Sequence, residues 1–222
     1  MINLKIGKLV FENVDLSKDQ SHKLRGYIGE KYKEYDLVHN HDTVTGKEIY
    51  RYPLFQFKVI DKKPHVISIG EKPSIIFKKM FMDIKSIEIQ GKNIPIYEKQ
   101  LCSDFYSFGE SLKMNTYKFV SPWIGLNQDN YKKYNLALDY NDKRTILNNC
   151  LIGNIISVCK GLGYRVEQPI VCESSLSLNK VILKGFEVLG FLGTFKINFE
   201  LPDYIGIGKS VSRGYGTIKK YV

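Results

Sequence analysis

No two of the four cysteines form a Cys-x-x-Cys pair, and no apolar run approaches the length of a membrane span. The first absence leaves no thiol-based metal site, so Cys102, Cys150, Cys159 and Cys172 read as small hydrophobes of a reducing compartment. The second, with an opening Met1-Ile2-Asn3-Leu4-Lys5 that reads as a strand rather than a charged-then-apolar leader, gives the expectation of a soluble cytoplasmic protein with no membrane partner. Acidic residues are also short, 23 Asp plus Glu against 33 Lys plus Arg, for a formal net charge of +10. That surplus favours an anionic partner, although a solubility surface would show the same sign. At 222 residues, with 43% hydrophobic and 13% aromatic residues, the chain suits one large domain or two.

Two common phosphate motifs are missing. A P-loop needs glycine five positions before Gly208-Lys209-Ser210, where Asp203 stands, and a dinucleotide fingerprint needs glycine at Val211. What is present is Gly206-x-Gly208-x₅-Gly214-x-Gly216, interleaved with Lys209, Ser210, Arg213 and Tyr215. Glycines at this spacing allow positive φ and close backbone approach, so the loop reads as a holder for a phosphate backbone. A glycine-rich hairpin with no ligand is the bland alternative.

Apolar periodicity orders the first half as β-α-β-β-α-β: a strand at Leu4–Val10, a helix at Gln20–Tyr35 with Leu24, Tyr27, Ile28 and Tyr32 on one stripe, strands at Ile49–Ile60 and Val66–Ile69, a helix at Lys72–Met82 and a strand at Ser86–Tyr97. That order is the split βαβ, or ferredoxin-like, unit. The second half begins again with a strand at Thr116–Val120 and a helix at Arg144–Leu162, then strands at Val171–Leu176, Val181–Leu189, Phe191–Glu200 and Thr217–Val222, with a short second crossover placed at Phe191–Phe195. The expectation is an α+β chain of tandem ferredoxin-like domains, 1–112 and 113–222, joined near Ser107–Asn115.

The polar cluster richest in catalytic residue types is His39, Asn40, His41, Asp42 and, beyond it, Lys47. Imidazole titrates near neutrality and suits proton transfer, and a lysine can stabilise a phosphorane; an exposed histidine pair in a polar loop can equally be inert. A metal reading also exists, since His39 and His41 in an extended segment point the same way and Asp36, Asp42 or His65 could complete a site. The letters His-Asn-His match a nuclease name whose residues are scattered over a different ββα order, so the match is accidental. Tyr27 reads first as a core or interface aromatic and secondarily as a proton-handling phenol, while Lys23 and Arg25 suit phosphates. Arg213-Gly214-Tyr215-Gly216-Thr217-Ile218 matches part of the aromatic strand of RNA-recognition domains, but too little chain follows for that fold and Thr217 replaces a stacking aromatic.

Taken together, the two ferredoxin-like halves, the histidine cluster and lysine after the first helix, the Tyr117–Trp123 strand with Ser121-Pro122, and the terminal glycine loop resemble the repeat-specific CRISPR-associated endoribonucleases of the RAMP superfamily. The resemblance spans essentially the whole chain. It implies a metal-independent, cofactor-free enzyme in which a tyrosine, a histidine and a lysine act together, roles that fall on Tyr27, His41 and Lys47, with His39 a rival for the histidine. It further implies that Lys23, Arg25, Gly206, Gly208, Lys209, Ser210, Arg213, Gly214, Tyr215 and Gly216 contact CRISPR repeat RNA. The reaction implied is attack of a ribose 2′-hydroxyl on its own phosphate, leaving 2′,3′-cyclic phosphate and 5′-hydroxyl ends. Other CRISPR-associated proteins and a second copy of the chain are the further partners it suggests. A non-catalytic guide-RNA-binding subunit of the same superfamily is the alternative.

Overall fold

The computed structural model describes residues 1–39 and 51–221, so Asn40, His41, Asp42 and Lys47 lie outside the described residues, as does the side chain of His39. The chain divides into an N-terminal unit, Asn3–Tyr106 with Ser212–Gly214, and a C-terminal unit, Met1–Ile2, Ser107–Val211 and Tyr215–Val222.

In the N-terminal unit, β1 (Ile2–Phe11) leads through a 3-10 turn to α1 (Ser21–Lys31). Ser17 and Gln20 form a capping box at that turn, satisfying amide donors that an uncapped start would leave open. Leu24 and Ile28 are fully buried and Tyr32 is 1% exposed, as the apolar stripe requires. The helix closes once Tyr32, the last residue of that stripe, is placed in the core, earlier than the expected Tyr35; α2 (Asp36–His39) follows as a separate turn. Of the expected Ile49–Ile60 strand, Ile49 and Tyr50 lie outside the described residues; from Arg51 on, the strand begins at Phe55 as β2 (Phe55–Ile60), past Pro53, which has no N–H for a ladder. β2 returns as β3 (Lys63–Ile69) through Asp61 and Lys62, both at positive φ (49° and 66°), the pattern of a type I′ hairpin.

After α3 (Ser74–Asp83), the segment expected to be one strand folds on itself. β4 (Ser86–Ile89) and β5 (Lys92–Pro95) form their own two-stranded sheet around Gln90-Gly91, where both residues have positive φ. The fourth strand of the main sheet is β6 (Lys99–Phe119), giving the order β2-β3-β1-β6 of a ferredoxin-like sheet. The core gathers Leu9, Phe11, Leu24, Ile28, Phe55, Phe57, Val66, Phe77 and Met80.

Every residue of β2 is buried, including Lys58 at 1% exposure, whose cross-strand partner on β3 is His65. Burial pushes the Lys58 ammonium down from its ordinary 10.5 to about 7. The unfolded chain, with the ordinary value, then binds more protons than the folded one between those limits, so stability rises with pH across that window and is lowest below it. Burial also lowers the His65 imidazole, so its contribution is lost as pH falls below its ordinary 6.5. The melting temperature is therefore expected to climb from about pH 7 to pH 10, and Lys58→Met to flatten that climb, as thermal unfolding across pH would show.

The C-terminal unit repeats the plan with a shortened second crossover. Its sheet takes residues 107–119 of β6, then β7 (Cys172–Leu183), β8 (Phe186–Glu200) and β9 (Ile218–Lys220), in the order β9-β6-β8-β7. α4 (Gln128–Leu136) precedes α5 (Tyr140–Leu162), capped by Asp139 and closed by Gly163 in the left-handed region at φ 72°. α5 buries Leu147, Cys150, Leu151, Ile155, Val158 and Cys159; by length and composition alone it is also long and apolar enough to cross a membrane, contrary to the sequence expectation. Two strand expectations merge here. Val181–Leu189 spans the β7–β8 turn at Lys184-Gly185, and Phe191–Phe195, expected to hold the crossover, lies inside β8 with both rings buried. The crossover is residues 201–217, so the glycine loop stands where a second helix would be.

Candidate nucleic-acid interface

The glycine loop is closed by its own two arms. Tyr204 N donates to Ile218 O, Ile218 N to Ile205 O and Ile207 N to Gly216 O, and Gly206 bridges Thr217. Ile205, Ile207 and Ile218 are fully buried and anchor the arms in the core. Between the arms, Val211–Arg213 forms one 3-10 turn.

The segment Ser121–Leu126, which follows β6, carries the loop. Gly216 N donates to Pro122 O at 2.8 Å, Thr217 N to Ser121 Oγ at 2.9 Å, and Lys209 N to Ile124 O at 2.8 Å. The Lys209 ammonium donates to Leu126 O at 2.9 Å while the residue remains exposed, and Tyr215 Oη donates to Ile182 O at 2.9 Å. Trp123 underlies Gly208, its indole N–H donating to Asn154 Oδ1 at 3.0 Å.

These contacts give the glycines a structural cause. Gly216 has φ 60°, and a Cβ there would overlap the Ile207 carbonyl oxygen; at Gly208, φ 92°, it would come within 2.7 Å of Ile124 O and 2.8 Å of the Trp123 indole nitrogen. Gly206, Gly214 and Gly216 are buried, and the Gly216 N–H is held by Pro122, so it is not offered to a ligand as the sequence reading expected. The outward part of the loop is Gly208-Lys209-Ser210, half-buried at its ends and exposed at Lys209.

The remaining sequence candidates fall on two elements. Lys23, Arg25 and Tyr27 are half-buried on α1, and Gly214 packs beside Ser21 at the start of that helix. The Tyr27 hydroxyl donates to Ser86 O at 3.0 Å and its ring packs against the core, the interface role that the sequence put first. His39 ends α2; His41 and Lys47 are not among the described residues. His65, a possible metal partner by sequence, is buried on β3 with Nδ1 2.8 Å from Lys63 O. Sequence reasoning missed the carrying role of Ser121–Leu126: its signal was Trp123, the single tryptophan, beside Ser121-Pro122.

The fold is similar to that of a solved RAMP protein described as binding different RNA substrates, over 99% of this chain and 100% of its own, at 13% identity and a TM-score of 0.57. The Cas6b N-terminal domain model matches residues 2–106 and the Cas6b C-terminal domain model residues 109–221, and the chain belongs to the Cas6b family. A crystal structure of Cas6b is similar over 99% of this chain and 100% of its own, at 36% identity and a TM-score of 0.94. A crystal structure of the CRISPR RNA processing endoribonuclease Cas6b covers the same shares at 33% identity and a TM-score of 0.80. An uncharacterized protein of Methanocaldococcus jannaschii is 36% identical over 141 residues, 63% of this chain and 95% of its own length.

Proposed function

We propose that this chain is an endoribonuclease that binds CRISPR repeat RNA and cuts it without a metal. What carries the reading is the Cas6b family match across both halves, together with a solved relative described as a CRISPR RNA processing endoribonuclease. In the proposed reaction a ribose 2′-hydroxyl loses its proton to a base and attacks the adjacent phosphorus; the 5′ oxygen leaves with a proton from the conjugate acid. The products are a 2′,3′-cyclic phosphate and a 5′-hydroxyl. His41, with His39 as rival, is the proposed proton-transfer residue, and Lys47 would hold the charge that builds on the phosphorane. Engagement of the Tyr27 hydroxyl with Ser86 favours a histidine over the phenol for the first proton. Lys23 and Arg25 on α1, with Arg213, are the proposed phosphate contacts of the N-terminal unit, and Lys209 is that of the C-terminal unit. We place this activity in the cytoplasm, with the N-terminal domain carrying the histidines and the C-terminal domain the glycine loop, and count a second copy and other CRISPR-associated proteins among its partners.

Labelled repeat RNA incubated with the protein in excess EDTA tests the reading. Cleavage at one position, with a 5′-hydroxyl end that kinase and ATP phosphorylate directly and a 3′ end that phosphatase dephosphorylates only after acid has opened the cyclic phosphate, is the expected result. Loss of cutting with chelator would overturn the metal-independent chemistry. Binding without product would make the chain a guide-RNA-holding subunit, and DNA of the same sequence, lacking the attacking hydroxyl, is expected to remain uncut.

A further inference from the structure

We infer that the outward face of the C-terminal sheet is a track for single-stranded RNA, continuous with the glycine loop; this rests on the RNA-processing reading above and adds a second contact surface to it. Residues paired across strands share a face. The pairs Lys219↔Lys118, Lys118↔Thr194 and Thr194↔Ser175 therefore form one row, and Thr116↔Lys196 with Lys196↔Glu173 the next. Tyr221 joins the second row, its N–H donating to Thr116 O at 2.8 Å. The alternate residues, Tyr117, Phe119, Phe195, Ile197 and Ile218, are buried in the core, so the lysine rows point the other way. Lys118, Lys196 and Lys219 are exposed and Tyr221 is 55% exposed.

Two lysines directly opposite each other cost a sheet stability. Their neighbour Lys220, on the other side of the strand, is matched to Glu200 at 3.0 Å. Lys118 lies over the Tyr221 ring, 5.9 Å from its centroid, and Lys219 over the Tyr204 ring at 5.8 Å. Clustered ammonium groups, the hydroxyls of Thr116, Thr194 and Ser175, and an exposed ring are the parts by which proteins hold a single strand: charge and hydroxyls for phosphate, a flat ring for a base. An acidic peptide would use the lysines but not the ring.

The face and the loop are neighbours along the chain. β9, which carries Lys219, starts two residues after Gly216, and Lys118 precedes Ser121, whose hydroxyl accepts from Thr217 N.

Fluorescence anisotropy of the full chain with a labelled fifteen-nucleotide oligouridine tests the inference. The triple variant Lys118→Gln, Lys196→Gln, Lys219→Gln is expected to bind about tenfold or more weakly, and to flatten the slope of log K against log salt by about 2, three contacts at roughly 0.7 each. A variant with the same charge change elsewhere, Lys72→Gln, Lys78→Gln, Lys92→Gln, is expected to stay within about twofold of wild type. Tyr221→Ala is expected to weaken binding about fivefold or more. Equal losses in the two triple variants, an unchanged Lys118/Lys196/Lys219 variant, or equal affinity of the face for polyglutamate each overturns the track. Wild-type cleavage of repeat RNA, measured in parallel, separates the failures: a chain that cuts while its sheet variants bind normally sinks the track alone, and one that neither binds nor cuts RNA sinks the reading beneath it.

Discussion

His41→Ala is expected to slow cleavage of repeat RNA by roughly 10²- to 10⁴-fold, the usual worth of one positioned proton-transfer group, while leaving RNA affinity within a few-fold of wild type. The reason is that imidazole carries its charge only part of the time at neutral pH and so contributes little to holding phosphate, yet it must take or give a proton at the bond that breaks. The same substitution at His39 is expected to have the smaller effect. Single-turnover rates at saturating protein, with affinity measured separately, divide the two quantities. A His41→Ala enzyme that cuts at the wild-type rate while His39→Ala does not would transfer the role to His39; full activity in both would remove the histidine mechanism.

Gly216→Ala is expected to destabilise the fold by about 2–4 kcal/mol, because alanine at positive φ pays the left-handed penalty and its Cβ meets the Ile207 backbone. In a chain of this size that corresponds to a fall of roughly 4–16 °C in melting temperature. Gly153→Ala is the contrast. Gly153 lies exposed within α5, and a methyl group added there would meet nothing within 4 Å, so the change is expected to stabilise by about 0.5–1 kcal/mol. Calorimetry of both variants decides whether the terminal glycines are held by packing. A Gly216→Ala protein that melts with wild type would mean the crossover is free of that constraint. It also follows that loss of RNA binding on replacing these glycines would report on folding first, and that Lys209 and Arg213 are the better probes of the loop.

The alternation and helical stripes of the first half were enough for the element order because one-sided burial imposes a period on sequence. They were not enough for the hairpin β4–β5: Ile94 falls out of phase with Ile87 and Ile89 because it returns on the partner strand opposite Ile87, and Gln90 and Gly91 at positive φ make the reversal. Phe191–Phe195 misled in the opposite direction. Gly193 looked like a turn, whereas at φ 133° it lies within β8, where a Cβ would overlap the backbone of Ser175 on β7.

By itself the sequence determined the tandem ferredoxin-like class, the helix faces and the glycine loop as the feature that sets this chain apart, since each is written locally in periodicity or in residues with few conformational substitutes. Only the tertiary structure decided that the loop replaces the second crossover helix, that Ser121–Leu126 carries it, and that Lys118 and Lys219 stand side by side. Those facts depend on which strands become neighbours, and strand pairing joins residues about a hundred positions apart through backbone hydrogen bonds that leave little mark on composition.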